Sequence, residues 1–165
     1  MSNRNYILTR EVAEKKLQRM AYEIVERNAG ESHLVLAGIK DSGLIIAKKI
    51  KDLLQPIYKC ETSVIEISLD KRNPTEINIS PSIDMNDKII IVTDDVVNSG
   101  RTLLYALKPF LSFQVKKIQT LVLVERTHKA FPVTSDYVGL SVATTVQEHI
   151  VVEVEGSEIL GAYLI

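Results

Sequence analysis

The stretch K-I-I-I-V-T-D-D-V-V-N-S-G-R-T, residues 88–102, decides the fold of this chain. Its apolar run, 89–92, is typical of a strand that is buried on both faces of a parallel sheet. Asp94 and Asp95 follow at the point where we expect that strand to end. A polar loop with one glycine then leads into T-L-L-Y-A-L, which predicts the start of a helix. The segment therefore predicts a strand, a loop and a helix of an α/β protein.

The loop after the two acids has the features of an anion site. Ligands of open α/β sheets bind beyond the carboxyl ends of the strands, and backbone N–H groups at a helix N-terminus bind phosphate. Gly100 lets the backbone approach a phosphate closely, and the hydroxyls of Ser99 and Thr102 add donors. Carboxylates beside a phosphate repel it unless they bind the other end of the same ligand. We therefore expect a sugar phosphate, with Asp94 and Asp95 on ribose hydroxyls and the loop on the phosphate.

Two other interpretations of this segment are open. The first is an ordinary link between a strand and a helix, with the acids solvated at its edge. The second is an acidic cluster of the receiver type, also found at strand ends. A receiver would carry its acid pair after the first strand, whereas this pair follows the third or fourth predicted strand.

The composition is that of an ordinary globular protein. The 165 residues are 45% hydrophobic and 25% charged, which predicts a single domain over 1–165. The formal net charge of −1 gives no support to an electrostatic nucleic-acid binder. Cys60, the one cysteine, cannot form an internal disulfide. No apolar run reaches the roughly 20 residues of a membrane span, so we expect a cytoplasmic protein without membrane partners.

Hydrophobic periodicity predicts strands that alternate with helices, and hence a doubly wound, mainly parallel sheet. Residues 70–86 contain two prolines and mixed charge, which predicts a loop or loose hairpin that serves as a lid. Helices are expected over 9–28, 44–54 and 102–112, and strands over 33–39, 58–69, 118–124, 137–140 and 149–154, in addition to the strand that begins at Ile89.

Residues 90–102 resemble the signature with which type I phosphoribosyltransferases bind phosphoribosyl pyrophosphate (PRPP). The pattern is an apolar run, two acids, two apolar residues, small residues with a glycine, and a closing Thr or Ser; Thr93 and Asn98 depart from it mildly. Residues 17–30, 35–43 and 122–139 look like the PyrR family, the pyrimidine-operon attenuation proteins with uracil phosphoribosyltransferase activity. The resemblance implies the type I fold with a small hood, and transfer of phosphoribosyl from PRPP to a nucleobase, expected to be uracil, giving UMP and pyrophosphate.

The resemblance also implies a role for individual residues. Asp94 and Asp95 would be the catalytic pair that holds the ribose 2′- and 3′-hydroxyls. The 5′-phosphate would lie on Asn98, Ser99, Gly100, Arg101 and Thr102. The pyrophosphate would lie on Lys40, Asp41, Ser42 and Gly43. Mg²⁺ would arrive with PRPP, held by substrate oxygens and water rather than by direct protein ligands.

Base recognition is expected near the end of the chain. By resemblance, Tyr137 would stack on the base, Val138 would read its edge through backbone groups, and Arg126 would join them. Related 6-oxopurine enzymes have a lysine where this chain has Glu125, which favours a pyrimidine. The alternative for Tyr137 is a core residue at the edge of the sheet.

Two departures from the PyrR pattern leave other functions open. The lid is shortened, and Arg72 stands in for the usual lid arginine. Gln18 and Tyr22 replace a threonine and a histidine of the RNA-binding helix, although Arg19, His128 and Lys129 match the possible RNA face. The alternative is therefore a weakly catalytic or non-catalytic RNA-binding regulator that senses UMP or PRPP, and a plainer one is a protein that only binds nucleotide. A homodimer or homotetramer is expected by resemblance.

Overall fold

The computed structural model describes residues 4–165 as nine strands and three α-helices. The helices are α1 (Arg10–Arg27), α2 (Ser42–Leu54) and α3 (Arg101–Ala106), and a 3-10 helix follows α3 at Lys108–Ser112. The strands are β1 (Asn5–Thr9), β2 (His33–Ile39), β3 (Glu61–Leu69), β4 (Ile77–Ser80), β5 (Ile89–Val97), β6 (Lys117–Arg126), β7 (Tyr137–Val142), β8 (Ile150–Glu155) and β9 (Glu158–Leu164).

Six strands form the central sheet, in the order β4-β3-β2-β5-β6-β7. All neighbours in it are parallel except β3 and β4, which form an antiparallel pair at one edge. From β2 the chain moves outward to β3 and then returns to the other side of β2 as β5. The strand order thus reverses between β2 and β5, the position at which doubly wound sheets bind ligands. The predicted α/β fold with a mainly parallel sheet is confirmed.

The sheet is covered on both faces, as the apolar run in β5 predicts. Ile89 and Ile91 pack in one apolar cluster together with buried residues of α1 and α2. Ile90 and Val92 pack in the other cluster, which contains Leu103 of α3. All four β5 side chains are fully buried, and burying one such side chain contributes roughly 1.5–3 kcal/mol. This burial fixes β5 at the centre of the fold. The two acids lie on the same strand, just after its apolar run.

A second sheet of three antiparallel strands, β1-β9-β8, forms the hood. Of these strands the sequence predicted β8 alone. Thr9 caps α1 as predicted, its side chain accepting a hydrogen bond from the N–H of Val12. The expectation that β5 ends before the acids is wrong, because the strand continues through Asp94 and Asp95 to Val97. Within residues 4–165, no helix has both the length and the apolar character that crossing a membrane requires.

Candidate functional site

The loop between β5 and α3 is held in place by hydrogen bonds from the segment that follows β6. The carbonyl oxygen of Ser99 accepts hydrogen bonds from the N–H groups of Ala130 and Phe131, each at 3.0 Å. Gly100 has a left-handed φ of +85°, and a Cβ there would lie 2.7 Å from Cγ1 of Val133. Both the backbone angle and the lack of space require glycine at this position. The loop is therefore held in one shape before any ligand arrives.

A cavity of about 90 Å³ opens above this loop. A water molecule needs at least about 10–15 Å³ of such space, so the cavity is large enough for a phosphoryl group. Arg101 of the predicted phosphate set does not line it, because its guanidinium lies over the ring of Tyr105, 5.8 Å from the centroid. The lining residues are Lys71, Asp94, Val96, Val97, Asn98, Ser99, Gly100, Thr102 and Leu103.

The two acids differ in their surroundings. Asp94 is 2% exposed and lines the cavity, whereas Asp95 is half-buried. Oδ1 of Asp94 accepts the N–H of Asp95 at 2.9 Å, and Oδ1 of Asp95 accepts the N–H of Val96 at 2.8 Å. Burial raises the pKa of Asp94 well above its usual range, and the charge of Asp95 adds to this. The pair therefore contains a buried carboxyl whose pKa is strongly raised, a feature typical of functional sites.

The lid segment contributes Lys71, a residue that the sequence analysis missed. Its Nζ lies 3.8 Å from Oδ1 of Asp94. Arg72, the predicted lid residue, is exposed and does not line the cavity, and its backbone N–H donates to Oδ1 of Asp70 at 2.9 Å. Of the two adjacent cations, Lys71 rather than Arg72 therefore faces the cavity, and the lid role of Arg72 stays a prediction. Lys71 was missed because irregular chain has no periodicity from which to infer the direction of a side chain.

The predicted pyrophosphate turn lies beside the acids. Lys40 and Asp41 are exposed, and Asp41 has a positive φ of 71°. The next two residues begin α2, where the Oγ1 of Thr93 donates to the carbonyl oxygen of Gly43 at 2.8 Å. A Cβ on Gly43 would lie only 2.7 Å from the carbonyl oxygen of Thr93. The structure thus brings the two predicted anion loops together at the point where the strand order reverses.

Lys40 also faces the lid across an open groove of about 520 Å³. The groove continues along the lid residues Asp70, Asn73, Thr75 and Glu76. The groove provides room outside the smaller cavity, but its one cation, Lys40, is accompanied by the carboxylates of Asp70 and Glu76.

The structure contradicts the predicted stacking role of Tyr137. Its side chain is fully buried, and its hydroxyl donates to Oε1 of Gln119 at 2.9 Å and accepts from Nδ2 of Asn28 at 3.1 Å. Burial raises the pKa of this hydroxyl. The reason is positional: Tyr137 is the first residue of β7, and the amino end of a parallel strand lies opposite the edge that carries the loops.

Val138 and Arg19 contact each other near the amino end of β7. This contact does not fit the base-reading role predicted for Val138 or the RNA-face role predicted for Arg19. The carbonyl oxygen of Val138 accepts a hydrogen bond from Nη2 of Arg19 at 2.8 Å, and that of Gly139 accepts another at 3.2 Å. Arg19 also pairs with Glu23 along α1. Arg19 therefore attaches α1 to β7, and the backbone of Val138 is already engaged away from the site.

The carboxyl ends of β6 and β7 contain the residues that reach the same edge as the phosphate loop. Arg126, predicted to bind the base, ends β6, and its Nη2 donates to the carbonyl oxygen of Glu148. Its Nε and the Oγ1 of Thr144 are buried without a hydrogen-bond partner. Val146, in the loop after β7, is 93% exposed. The sequence analysis did not single out this exposed apolar residue, which follows the carboxyl end of β7.

The predicted RNA face is largely engaged in the structure. Nζ of Lys129 lies 2.7 Å from Oε1 of Glu125, and both side chains are nearly buried. That oxygen has no aligned hydrogen bond, so the contact is an ion pair alone. His128 is exposed. Of the three predicted residues Arg19, His128 and Lys129, only the histidine thus presents an uncommitted side chain.

Fold and site together define an α/β protein in which a buried acid and two predicted anion-binding loops meet at a reversal of strand order. A sequence model described as "Phosphoribosyl transferase domain" matches residues 4–156, and the chain belongs to this family. It is 36% identical over 159 residues to "Bifunctional protein PyrR" of Ligilactobacillus salivarius, covering 87% of this chain and 89% of that protein. The protein of the same name from Clostridium acetobutylicum is 34% identical over 160 residues, covering 91% and 90%.

Solved structures share the fold at much lower identity. A hypoxanthine phosphoribosyltransferase of Staphylococcus aureus superposes with a TM-score of 0.74 at 16% identity, covering 89% of this chain and 81% of that one. A hypoxanthine-guanine phosphoribosyltransferase of Bacillus anthracis gives 0.72 at 18% identity, covering 92% and 88%. These similarities support the fold alone and do not indicate which base this protein uses.

Proposed function

We propose that this protein transfers the phosphoribosyl group of PRPP to uracil, releasing pyrophosphate and forming UMP. The observation that carries the proposal is the cavity between Asp94 and the β5–α3 loop, where a buried acid and a pre-shaped glycine loop face each other. A ligand that satisfies both must have hydroxyls at one end and an anion at the other. Ribose 5-phosphate has both groups.

The chain's own residues then act by holding the reactants. Asp94 and Asp95 accept hydrogen bonds from the ribose hydroxyls, and the loop amides with the hydroxyls of Ser99 and Thr102 bind the 5′-phosphate. Breaking the bond from ribose C1 to pyrophosphate develops positive charge on the sugar; a ring nitrogen of uracil then bonds to C1, and the proton of that nitrogen is released to the departing pyrophosphate or to solvent. Fixing both reactants in line lowers the entropy cost of this step. The lid over 70–86 excludes water, which would otherwise capture the sugar instead.

The pyrophosphate leaves toward the turn that contains Lys40. There an ammonium and the first N–H groups of α2 provide positive charge and donors for an anion. The site is compatible with Mg²⁺ that PRPP would carry on its own oxygens and water, because the open groove of about 520 Å³ beside Lys40 leaves room for a hydrated ion without protein ligands. Bound in this way, the ion would supply charge neutralisation for the departing pyrophosphate.

Uracil is proposed because of the side chains at the end of β6. A 6-oxopurine needs a donor at its O6, and position 125 supplies a carboxylate whose charge is already paired with Lys129. The similarity to proteins named "Bifunctional protein PyrR" favours the same base. Val146 provides an exposed apolar surface against which a planar ring could pack, and Arg126 at the end of β6 is proposed to contact the base.

A turnover panel tests the proposal. Protein, PRPP and Mg²⁺ are incubated with uracil, cytosine, hypoxanthine, guanine or adenine, and nucleotide and pyrophosphate are both quantified. We expect UMP from uracil alone, and loss of at least 100-fold in turnover with Asp95→Asn, whose removed charge contacts the reacting sugar. Turnover with a purine but not with uracil would refute the base assignment, and absence of product with every base would refute the activity.

The second candidate, an RNA-binding regulator that senses UMP or PRPP, has less support. It relies on the exposed His128 and on the name of the relatives, since Arg19 and Lys129 are engaged in internal contacts. Filter binding of a leader hairpin with and without UMP tests it. The cytoplasmic location, the single domain over 1–165 and the homodimer or homotetramer stay predictions.

A further inference from the structure

Lys71, in the segment between β3 and β4, is the lid residue that faces the buried acid. Its Nζ lies 3.8 Å from Oδ1 of Asp94, and its side chain lines the cavity beside the phosphate loop. The side chain of Asp94 is 2% exposed, so water does little to stabilise a negative charge on it. Within residues 4–165, Lys71 is the one cation at ion-pair distance from Asp94.

The other groups around Asp94 give no compensating positive charge. Asp95, on the same strand, adds a second negative charge. β6 places the apolar Val122 opposite Asp94, and α2 places Gly43 against its backbone. The remaining polar side chains that line the cavity are neutral: Asn98, Ser99 and Thr102. The charge on Asp94 therefore depends on a balance between Asp95 and Lys71.

From this arrangement we infer that Lys71 is a positioning residue whose ammonium keeps Asp94 ionised in the ligand-free site. The inference deepens the proposed function and rests on it. An ionised carboxylate accepts hydrogen bonds at both oxygens, whereas a protonated one spends part of its capacity as a donor. Ribose hydroxyls entering the site then meet an acceptor that is already in the required state.

Loss of Lys71 has a defined consequence for pH dependence. Burial and Asp95 raise the pKa of Asp94, and the charge of Lys71 opposes them. Without the ammonium, Asp94 becomes protonated at a higher pH, so a smaller fraction of the protein is competent to bind the sugar. The apparent dissociation constant rises in proportion to the inverse of that fraction.

The first test measures Asp94 directly in the ligand-free protein. The ¹³Cγ signal, assigned by its absence in Asp94→Asn, is followed by NMR from pH 4 to pH 9. Because Lys71 is about half exposed, we expect Lys71→Met to raise the midpoint by about one pH unit. Lys71→Arg and the matched control Arg72→Met should stay within a few tenths of a unit of wild type. An unchanged midpoint in Lys71→Met would overturn the inference.

The second test is PRPP binding by calorimetry over the pH range that brackets the Asp94 midpoint found by NMR. Relative to wild type and Arg72→Met, Lys71→Met should lose affinity as the pH falls below that midpoint, by up to about tenfold for a midpoint shift of one unit. A loss that is equal at every pH would mean that Lys71 acts on the ligand alone, and would overturn the positioning role. If wild-type protein binds no PRPP, the proposed function fails, whereas the NMR titration still decides the coupling of Lys71 to Asp94.

Discussion

Replacing Gly43 by alanine tests whether the pyrophosphate turn and the acid-bearing strand form one rigid unit. A Cβ at position 43 would lie 2.7 Å from the carbonyl oxygen of Thr93 and 3.2 Å from Cα of Asp94. Both atoms belong to the backbone of β5, so they cannot rotate away as the end of a long side chain would. Gly43 is the second residue of α2 and has no left-handed φ, so the clash acts without added backbone strain.

Three contributions set the magnitude. An extra methyl group in a filled space costs about 1–3 kcal/mol. Moving Gly43 away disturbs the 2.8 Å hydrogen bond from Thr93, and losing that bond costs about 0.5–1.5 kcal/mol. The higher helix propensity of alanine returns up to about 1 kcal/mol. The net expectation is a loss of about 2 kcal/mol in the free energy of unfolding, or roughly 4–8 °C in melting temperature.

Thermal unfolding followed by circular dichroism measures this loss, with Gly30→Ala as the matched control. Gly30 has a φ of +79° but nothing within 4 Å of its added Cβ, so its substitution costs only the backbone strain of about 1–2 kcal/mol. PRPP binding then separates the two variants: Gly43→Ala should weaken it at least tenfold, and Gly30→Ala should leave it unchanged. A Gly43→Ala protein that melts within 1 °C of wild type and binds PRPP normally would refute the reasoning.

Three further substitutions test other parts of the site. Gly100→Ala should abolish PRPP binding and lower the melting temperature, since its Cβ would meet Val133 at 2.7 Å; adding Val133→Ala should restore part of the stability. Asp94→Asn removes a carboxyl whose folded pKa is raised, and such a group costs stability as the pH rises from the unfolded value of 3.8 through the folded one. Its melting temperature relative to wild type should therefore increase with pH, while turnover is lost. Tyr137→Phe should cost about 1–3 kcal/mol by leaving buried partners unsatisfied, with an unchanged KM for the base in steady-state kinetics.

The middle of the central sheet was predictable because β2, β5 and β6 are buried on both faces. Continuous apolar runs such as 89–92 indicate such strands even when the neighbouring strands in the sheet are not known. The loop that follows β5 was also predictable from local sequence. Gly100 allows a backbone conformation that other residues rarely adopt, and the neighbouring hydroxyls are typical of an anion-binding loop. The hood was not fully predictable, because β1 and β9 gain their stability from pairing with each other across nearly the whole chain.

The position of Tyr137 was predicted wrongly because a residue pattern does not show at which end of its strand a residue lies. A tyrosine next to Val138 matched the expected pattern of residues, yet the first residue of a parallel strand lies at the amino edge of the sheet. At Lys71 and Arg72 the sequence could not show which side chain points toward the site. Two neighbouring cations in irregular chain are equivalent in sequence, and only the folded lid determines which of them faces Asp94.

Placing an acid inside β5 rather than in the loop has both a cost and a consequence. In the loop, the carboxyl would be solvated, with a backbone free to move. In β5, it is fixed by pairing with β6 at Val122, directly after the Thr93–Gly38 pair with β2. The cost is that the charge of Asp94 is poorly solvated. Lys71 compensates it only partly, because the lysine side chain is itself about half exposed. Ribose hydroxyls would supply the missing hydrogen bonds, so the group that weakens the empty protein is the one that a sugar ligand stabilises most.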